Sequence, residues 1–236
     1  MNRASIAAAG LVATVVATPA AASGLSALAF SDTVFASIDS DDGSVFAATG
    51  VKRSFGAQGA ATRGFIAATS GLSLSDAQRY RRGRMPLDAV DRQARAVIGV
   101  EQSAGIGFAS LGFGLSHALA KWSTRPARWR TGVALEANIW LRPDARQHVA
   151  LAMLGDTAAG SLWARLRYGY RPDGWLLAIG PEVGASVTRS SGKAKIGLHL
   201  SDLKLWRMEA VVSGGVMWDE RHRPGLYAAG SLWVTY

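Results

Sequence analysis

From about residue 30 onward the sequence alternates apolar with polar or small residues, with a period of two, in one segment after another. In Leu162–Tyr170, the residues Leu162, Ala164, Leu166, Tyr168 and Tyr170 share one face, and Trp163, Arg165, Arg167 and Gly169 share the other. A strand sends successive side chains to opposite sides, so both arginines fall together; a helix would scatter them around its circumference. Further on, Trp175, Leu177, Ile179, Pro181, Val183 and Ala185 alternate with Leu176, Ala178, Gly180, Glu182 and Gly184. The pattern predicts an all-β chain with strands near 32–39, 44–54, 62–71, 90–101, 105–118, 128–141, 147–154, 161–171, 174–188, 193–201, 205–218 and 226–236.

The medium that these strands cross follows from composition. Hydrophobic residues make up 49% of the 236 but form no run long enough for a helical span, which needs about 20 consecutive apolar residues. Charged residues are 18%, below the roughly 25% of an average soluble domain. Many strands are near the length that a tilted strand needs to cross a bilayer. In lipid an open sheet edge leaves backbone polar groups without partners, so the sheet is expected to close into a transmembrane β-barrel of about 12 strands. Short links at Gly56–Ala61, Gln102–Ala104, Arg142–Gln147, Pro172-Asp173 and Asp202–Lys204 alternate with links that include the two longest, Leu72–Ala89 and Leu119–Ala127. That alternation puts the short turns and both termini on the periplasmic side of a bacterial outer membrane.

Two terminal features agree. Met1-Asn2-Arg3, the uncharged run Ala4–Thr18 and the small residues Pro19–Ser23 have the layout of a secretory signal peptide cleaved after Ala22. Residues 1–22 are thus expected to be removed and 23–236 to form the barrel. Cleavage takes away only Arg3, so the net charge of +9 becomes +9 − 1 = +8. At the other end Leu232, Val234 and terminal Tyr236 share an apolar face, as in the assembly signal of outer-membrane barrels. The basic balance suits contact with outer-membrane lipid and lipopolysaccharide phosphates. No nucleic-acid-binding pattern is present. Arg79-Tyr80-Arg81-Arg82-Gly83-Arg84, in the longest external loop, is a candidate for the same phosphates.

With apolar faces outward, the expected lumen lining includes Arg95, Glu101, Arg130, Glu136, Trp140, Trp163, Arg165, Arg167, Glu182, Lys195, His199 and Glu209. Glu182 is expected to pair with Arg165 and Arg167 on the neighbouring strand, because a buried carboxylate without a cation is costly. Inward aromatics (Phe35, Phe46, Phe108, Trp140, Trp163, Tyr227 and Trp233) could stack on sugar rings or simply fill space. Trp129, Trp175 and Trp218 are expected in the interfacial girdle. Chemistry is poorly provided for. There is no cysteine, and His117, His148, His199 and His222 lack metal-ligand spacing. No G-x-S-x-G elbow occurs. A lipid-modifying barrel enzyme could place Ser and His on adjacent strands, for example Ser213 and His199. No catalytic residue, metal or cofactor is predicted.

The second half of the chain resembles the BcsS family of bacterial cellulose-biosynthesis proteins. The resemblance lies in Trp163–Tyr170, Ile179-Gly180-Pro181-Glu182-Val183-Gly184, Lys195-Ile196-Gly197-Leu198-His199-Leu200, Ser213-Gly214-Gly215-Val216 and the closing Gly225–Tyr236 segment. A fainter echo is Asp39 and Asp42 before Val45–Gly50. The resemblance implies a non-catalytic outer-membrane accessory to cellulose production, a conduit or organiser for glucan export, with the cellulose chain or its export machinery as partner. The rival is a small passive pore for nutrients.

The terminal signal is testable. Deleting Tyr236, or Tyr236→Asp, is expected to reduce the heat-modifiable barrel recovered from outer membranes far more than Thr235→Ser does. Normal levels after the deletion would refute that role for the residue.

Overall fold

The computed structural model describes residues 28–41, 44–75, 89–122, 125–189, 191–219 and 224–236. Residues 1–22 and the Arg79–Arg84 cluster lie outside that set. Twelve strands follow one another: β1 (Leu28–Asp41), β2 (Ser44–Ala57), β3 (Thr62–Ser75), β4 (Ala89–Ala104), β5 (Gly107–Trp122), β6 (Arg125–Leu141), β7 (Gln147–Asp156), β8 (Ser161–Tyr170), β9 (Ala178–Thr188), β10 (Gly192–Leu205), β11 (Met208–Asp219) and β12 (Gly225–Thr235). Each pairs antiparallel with the next. β1 closes on β12, with Thr33 opposite Thr235 and Asp41 opposite Tyr227. The ring leaves no edge along the greater part of the wall, the condition for a sheet in lipid.

The two faces are chemically opposite. Ile98, Val100, Leu111, Phe113, Leu115, Val133, Leu135 and Leu198 point outward and are exposed. In water such a surface would be an aggregation hazard; around a transmembrane barrel it is the lipid-facing belt. Near the end that carries Leu28 and Tyr236 (the terminal end), the belt is edged by exposed Tyr168, Tyr170, Trp175, Trp206 and Tyr236. Trp129 and Trp218 edge it at the opposite end. These are the positions that amphipathic rings favour at a membrane–water boundary.

Part of the interior is apolar and packed. Phe65 on β3, Val97 on β4 and Ala134 on β6 form a buried apolar cluster, and Lys52 Nζ lies 4.4 Å over the Phe65 ring. Space for that ring comes from inward glycines: a Cβ added at Gly112 would sit 2.6 Å from Val97 Cγ1 and 2.8 Å from Phe65 Cζ. Glycine thus lets a large ring lie flat against the wall.

Three expectations are corrected. Leu119–Ala127 is not a long link, because β5 runs on to Trp122 and β6 already starts at Arg125. β9 starts at Ala178, although the alternation runs back to 174. Arg171–Leu177 is a link, turned by Gly174 (φ +78°) and by the Trp175 N–H donating to Pro172 O at 3.1 Å. Trp175 and Leu176 are both exposed, so the strand periodicity there is accidental. The expected turn at Asp202–Lys204 is instead a β-bulge inside β10, between Leu200 and Leu203. The turn falls at Trp206-Arg207. Asp202 takes a left-handed conformation (φ 59°), which Asp tolerates better than most residues, and the bulge re-aims its carboxylate.

The wall is uneven in height. β6 has 17 residues, whereas β7 and β8 have 10 each, and β7 pairs with β6 only over Ala134–Leu141. The β7–β8 turn then leans inward, burying Ala158 against Gly132.

Phe65→Ala is expected to destabilise the barrel by about 3–5 kcal/mol. Overpacking by Gly112→Val should cost about 1–3 kcal/mol. Urea titration in detergent micelles measures both; a silent Gly112→Val would mean that the lumen yields at Phe65.

Candidate functional site

Register brings the central charges together. Arg165 and Arg167 project inward from β8, and Glu182 on β9 lies opposite Arg167. Arg167 Nε donates to Glu182 Oε2 at 2.5 Å, Tyr227 Oη donates to Glu182 Oε1 at 3.1 Å, and Arg165 Nε is 3.6 Å from the same oxygen. Glu182 is 1% exposed. Its desolvation is offset by two cations and a phenol, which is the arrangement a buried carboxylate requires.

A second carboxylate pair arrives from the far side of the ring. Asp39 on β1 accepts from Arg165 at 2.6 Å and from Lys195 Nζ on β10 at 2.5 Å. Asp41 accepts from Lys193 at 2.9 Å and from Ser44 at 2.5 Å, and lies 3.7 Å from Lys195. β1 and β8 are five places apart in a ring of twelve, so these side chains meet across the lumen. Arg165 is 7% exposed and joins Asp39 to Glu182, so one guanidinium ties three strands. The lumen is bridged at this level. Trp163 lies under Arg165 (5.1 Å), and Tyr227 under Lys195 (5.2 Å).

Below the bridge, at the terminal end, the bulge residue Asp202 accepts from Arg142 at 3.0 Å and from Arg171, which reach it from two different links. Arg142 also stacks on Trp140 (5.1 Å), itself stacked on Phe108 at 6.3 Å. His148 contacts Ser201 Oγ at 3.2 Å and meets the His199 ring edge-on at 5.8 Å. His199 and Ser213 are register partners, yet no hydrogen bond joins the His199 ring to Ser213 Oγ. A nucleophile–base bond is therefore not formed there.

The remaining lumen candidates scatter around the wall. Glu101 pairs with Lys52 at 2.6 Å. Arg95 is half-buried on β4, in the fields of Asp156 and Glu136, while Ser116 donates to Asp156 at 2.8 Å and Asn138 to Glu136 at 2.8 Å. Arg130 is on the inner face of β6 but stands exposed above the β7–β8 turn, and Glu209 is exposed beside the Trp206-Arg207 turn. Leu232, Val234 and Tyr236 share the outer face of β12. Sequence reasoning did not single out Asp39, Asp41, Lys193 or Asp202 for the lumen. Inward parity on β1 was the available signal for Asp39 and Asp41; their partners are five places away round the ring, beyond the reach of local pattern.

Glu182→Leu leaves Arg167 unpaired and is expected to cost about 3–5 kcal/mol. Adding Arg167→Leu should recover part of this, because Arg165 keeps Asp39. Unfolding in detergent decides; wild-type stability of Glu182→Leu would show that water, not Glu182, solvates these cations.

No curated protein matches this chain. Among solved structures it is similar to the β domain of the Bordetella autotransporter BrkA, at 12% identity over 88% of this chain and 99% of that one, with a TM-score of 0.49. It is also similar to the KdgM porin, at 12% identity over 86% and 99%, with a TM-score of 0.43. The sequence pattern of the family described as cellulose biosynthesis protein BcsS matches residues 33–236, from within β1 to the last residue, and the chain belongs to that family.

Proposed function

We propose that this barrel is a non-catalytic outer-membrane accessory of cellulose production, an organiser at the exit whose lumen rests closed. The observation that carries the reading is the Asp39–Arg165–Glu182 bridge, which joins opposite sides of the wall. Family membership supplies the pathway. The lipid-facing belt and its aromatic edges support a membrane position, and a barrel in the outer membrane has no access to cytoplasmic sugar nucleotides. Such a protein cannot polymerise glucan itself. Passage of a glucan strand would require the bridge to part, with Trp163 and Trp140 as the surfaces on which sugar rings could then stack. A permanently open nutrient pore accords poorly with charges that meet across its lumen.

Loss of the protein is expected to lower dye-binding cellulose on the cell surface, while synthase activity in isolated inner membranes is unchanged. In planar bilayers the wild type should conduct little, and Asp39→Ala should conduct more because Arg165 and Lys195 lose their shared anchor. Unchanged surface cellulose in the deletion, together with steady wild-type conductance for small solutes, would favour the passive pore.

A further inference from the structure

The upper half of β6 has a free edge. β7 pairs with β6 only as far as Ala134, and the last contact beyond it is made by Thr157 in the turn. There the Thr157 N–H donates to Val133 O at 3.0 Å and Val133 N–H donates to Thr157 Oγ1 at 2.7 Å. Backbone groups alternate sides along a regular antiparallel strand, so Trp129 and Thr131 turn their N–H and C=O the same way as Val133; the register shift between Arg128 and Arg125 ends that alternation. Among the described residues nothing pairs with them. β5 holds the other edge in unbroken register from Leu141 up to Arg128, so the segment is a firm strand and not a frayed end. The change falls at the membrane boundary. Val133, in the lipid belt, is satisfied; the free groups begin beside Trp129, which is 60% exposed and stacks on His117 at 4.6 Å.

A rigid, half-paired strand is a template for another. From this geometry we infer that the β6 edge at Arg128–Thr131 takes an extended segment of a partner protein by strand addition, and that the segment alternates acidic with apolar residues. Its chemistry follows from the two faces of β6. Arg128 and Arg130 project from the inner face, exposed and without an ion pair among the described residues; Trp129 projects from the outer face. Cross-strand neighbours of opposite charge stabilise a ladder and like charges weaken it, so carboxylates belong opposite the arginines and an apolar side chain beside the indole. The same rule disfavours a second copy, since two β6 edges paired antiparallel about Trp129 would set arginine opposite arginine. Lipid phosphate could neutralise the arginines but cannot supply a ladder of alternating donors and acceptors. The inference does not depend on a role in cellulose production.

The test uses the full-length barrel in nanodiscs and a short fluorescent peptide that alternates Val with Glu. Binding is expected, and N-methylation of alternate amides along one edge of the peptide should abolish it. Arg128→Glu combined with Arg130→Glu should weaken binding about ten-fold and admit the Val–Lys counterpart. Thr131→Pro, which removes a free N–H without touching the β5 ladder, should weaken it too. Heat-modifiable migration checks that each variant is folded. Equal binding of the N-methylated peptide, undiminished binding by the double-Glu variant, or no binding of the Val–Glu peptide would each overturn the inference. So would self-association of the wild type that Thr131→Pro abolishes, which would assign the edge to a second copy.

Discussion

A backbone amide in hydrocarbon has no water to turn to, and the rest of this molecule is arranged around that fact. The β1–β12 ladder supplies the last missing row of hydrogen bonds, from Thr33 opposite Thr235 to Asp41 opposite Tyr227. Once the ring is closed, the period-two pattern has only one favourable placement, with apolar side chains in lipid and polar ones inside. The uneven rim obeys the same rule. Where β7 stops short, the Thr157 backbone and hydroxyl complete the pairing of Val133, which still lies in the lipid belt. Above it, where solvent is available, β6 continues without a second neighbour among the described residues.

Closure moves the burial problem inward. The lumen collects charges from every part of the wall, and each must find a partner in a confined space. Arg165 solves three problems at once, since it answers Asp39, approaches Glu182 and lies over Trp163. The result is a network of ion pairs that spans the lumen, flanked by the apolar packing of Phe65, Val97 and Ala134. In a soluble domain the charged residues would face out and the apolar ones would hold the centre. Here ion pairs hold much of the centre, and a buried charge left without its partner is costly in such a setting.

Much of this was legible in the sequence, because a strand writes its two faces into alternate residues. Strand number, antiparallel order, the inward set on β8 and β9 and the Glu182–Arg167 pair all follow from local pattern plus one register step. Errors fell where local pattern and backbone conformation part company. Trp175 and Leu177 keep a strand-like rhythm in a link that Gly174 turns away from the sheet. Asp202 carries the composition of a turn residue but is spent on a bulge, held by Arg142 and Arg171 from two other links.

By itself the sequence determined what each residue is next to along and across one hairpin, and so the fold class, the lipid-facing belt and the inward set. Alternation and hairpin register are properties of neighbours in the chain, and a single chain displays them. Only the tertiary structure decided that Asp39 meets Arg165 and Lys195, that the lumen is bridged, and that the upper edge of β6 stands free. Those contacts join positions more than a hundred residues apart. They depend on strand tilt, on the closing register and on the height at which each hairpin ends. These are quantities of the closed ring as a whole, and no segment of the sequence carries them.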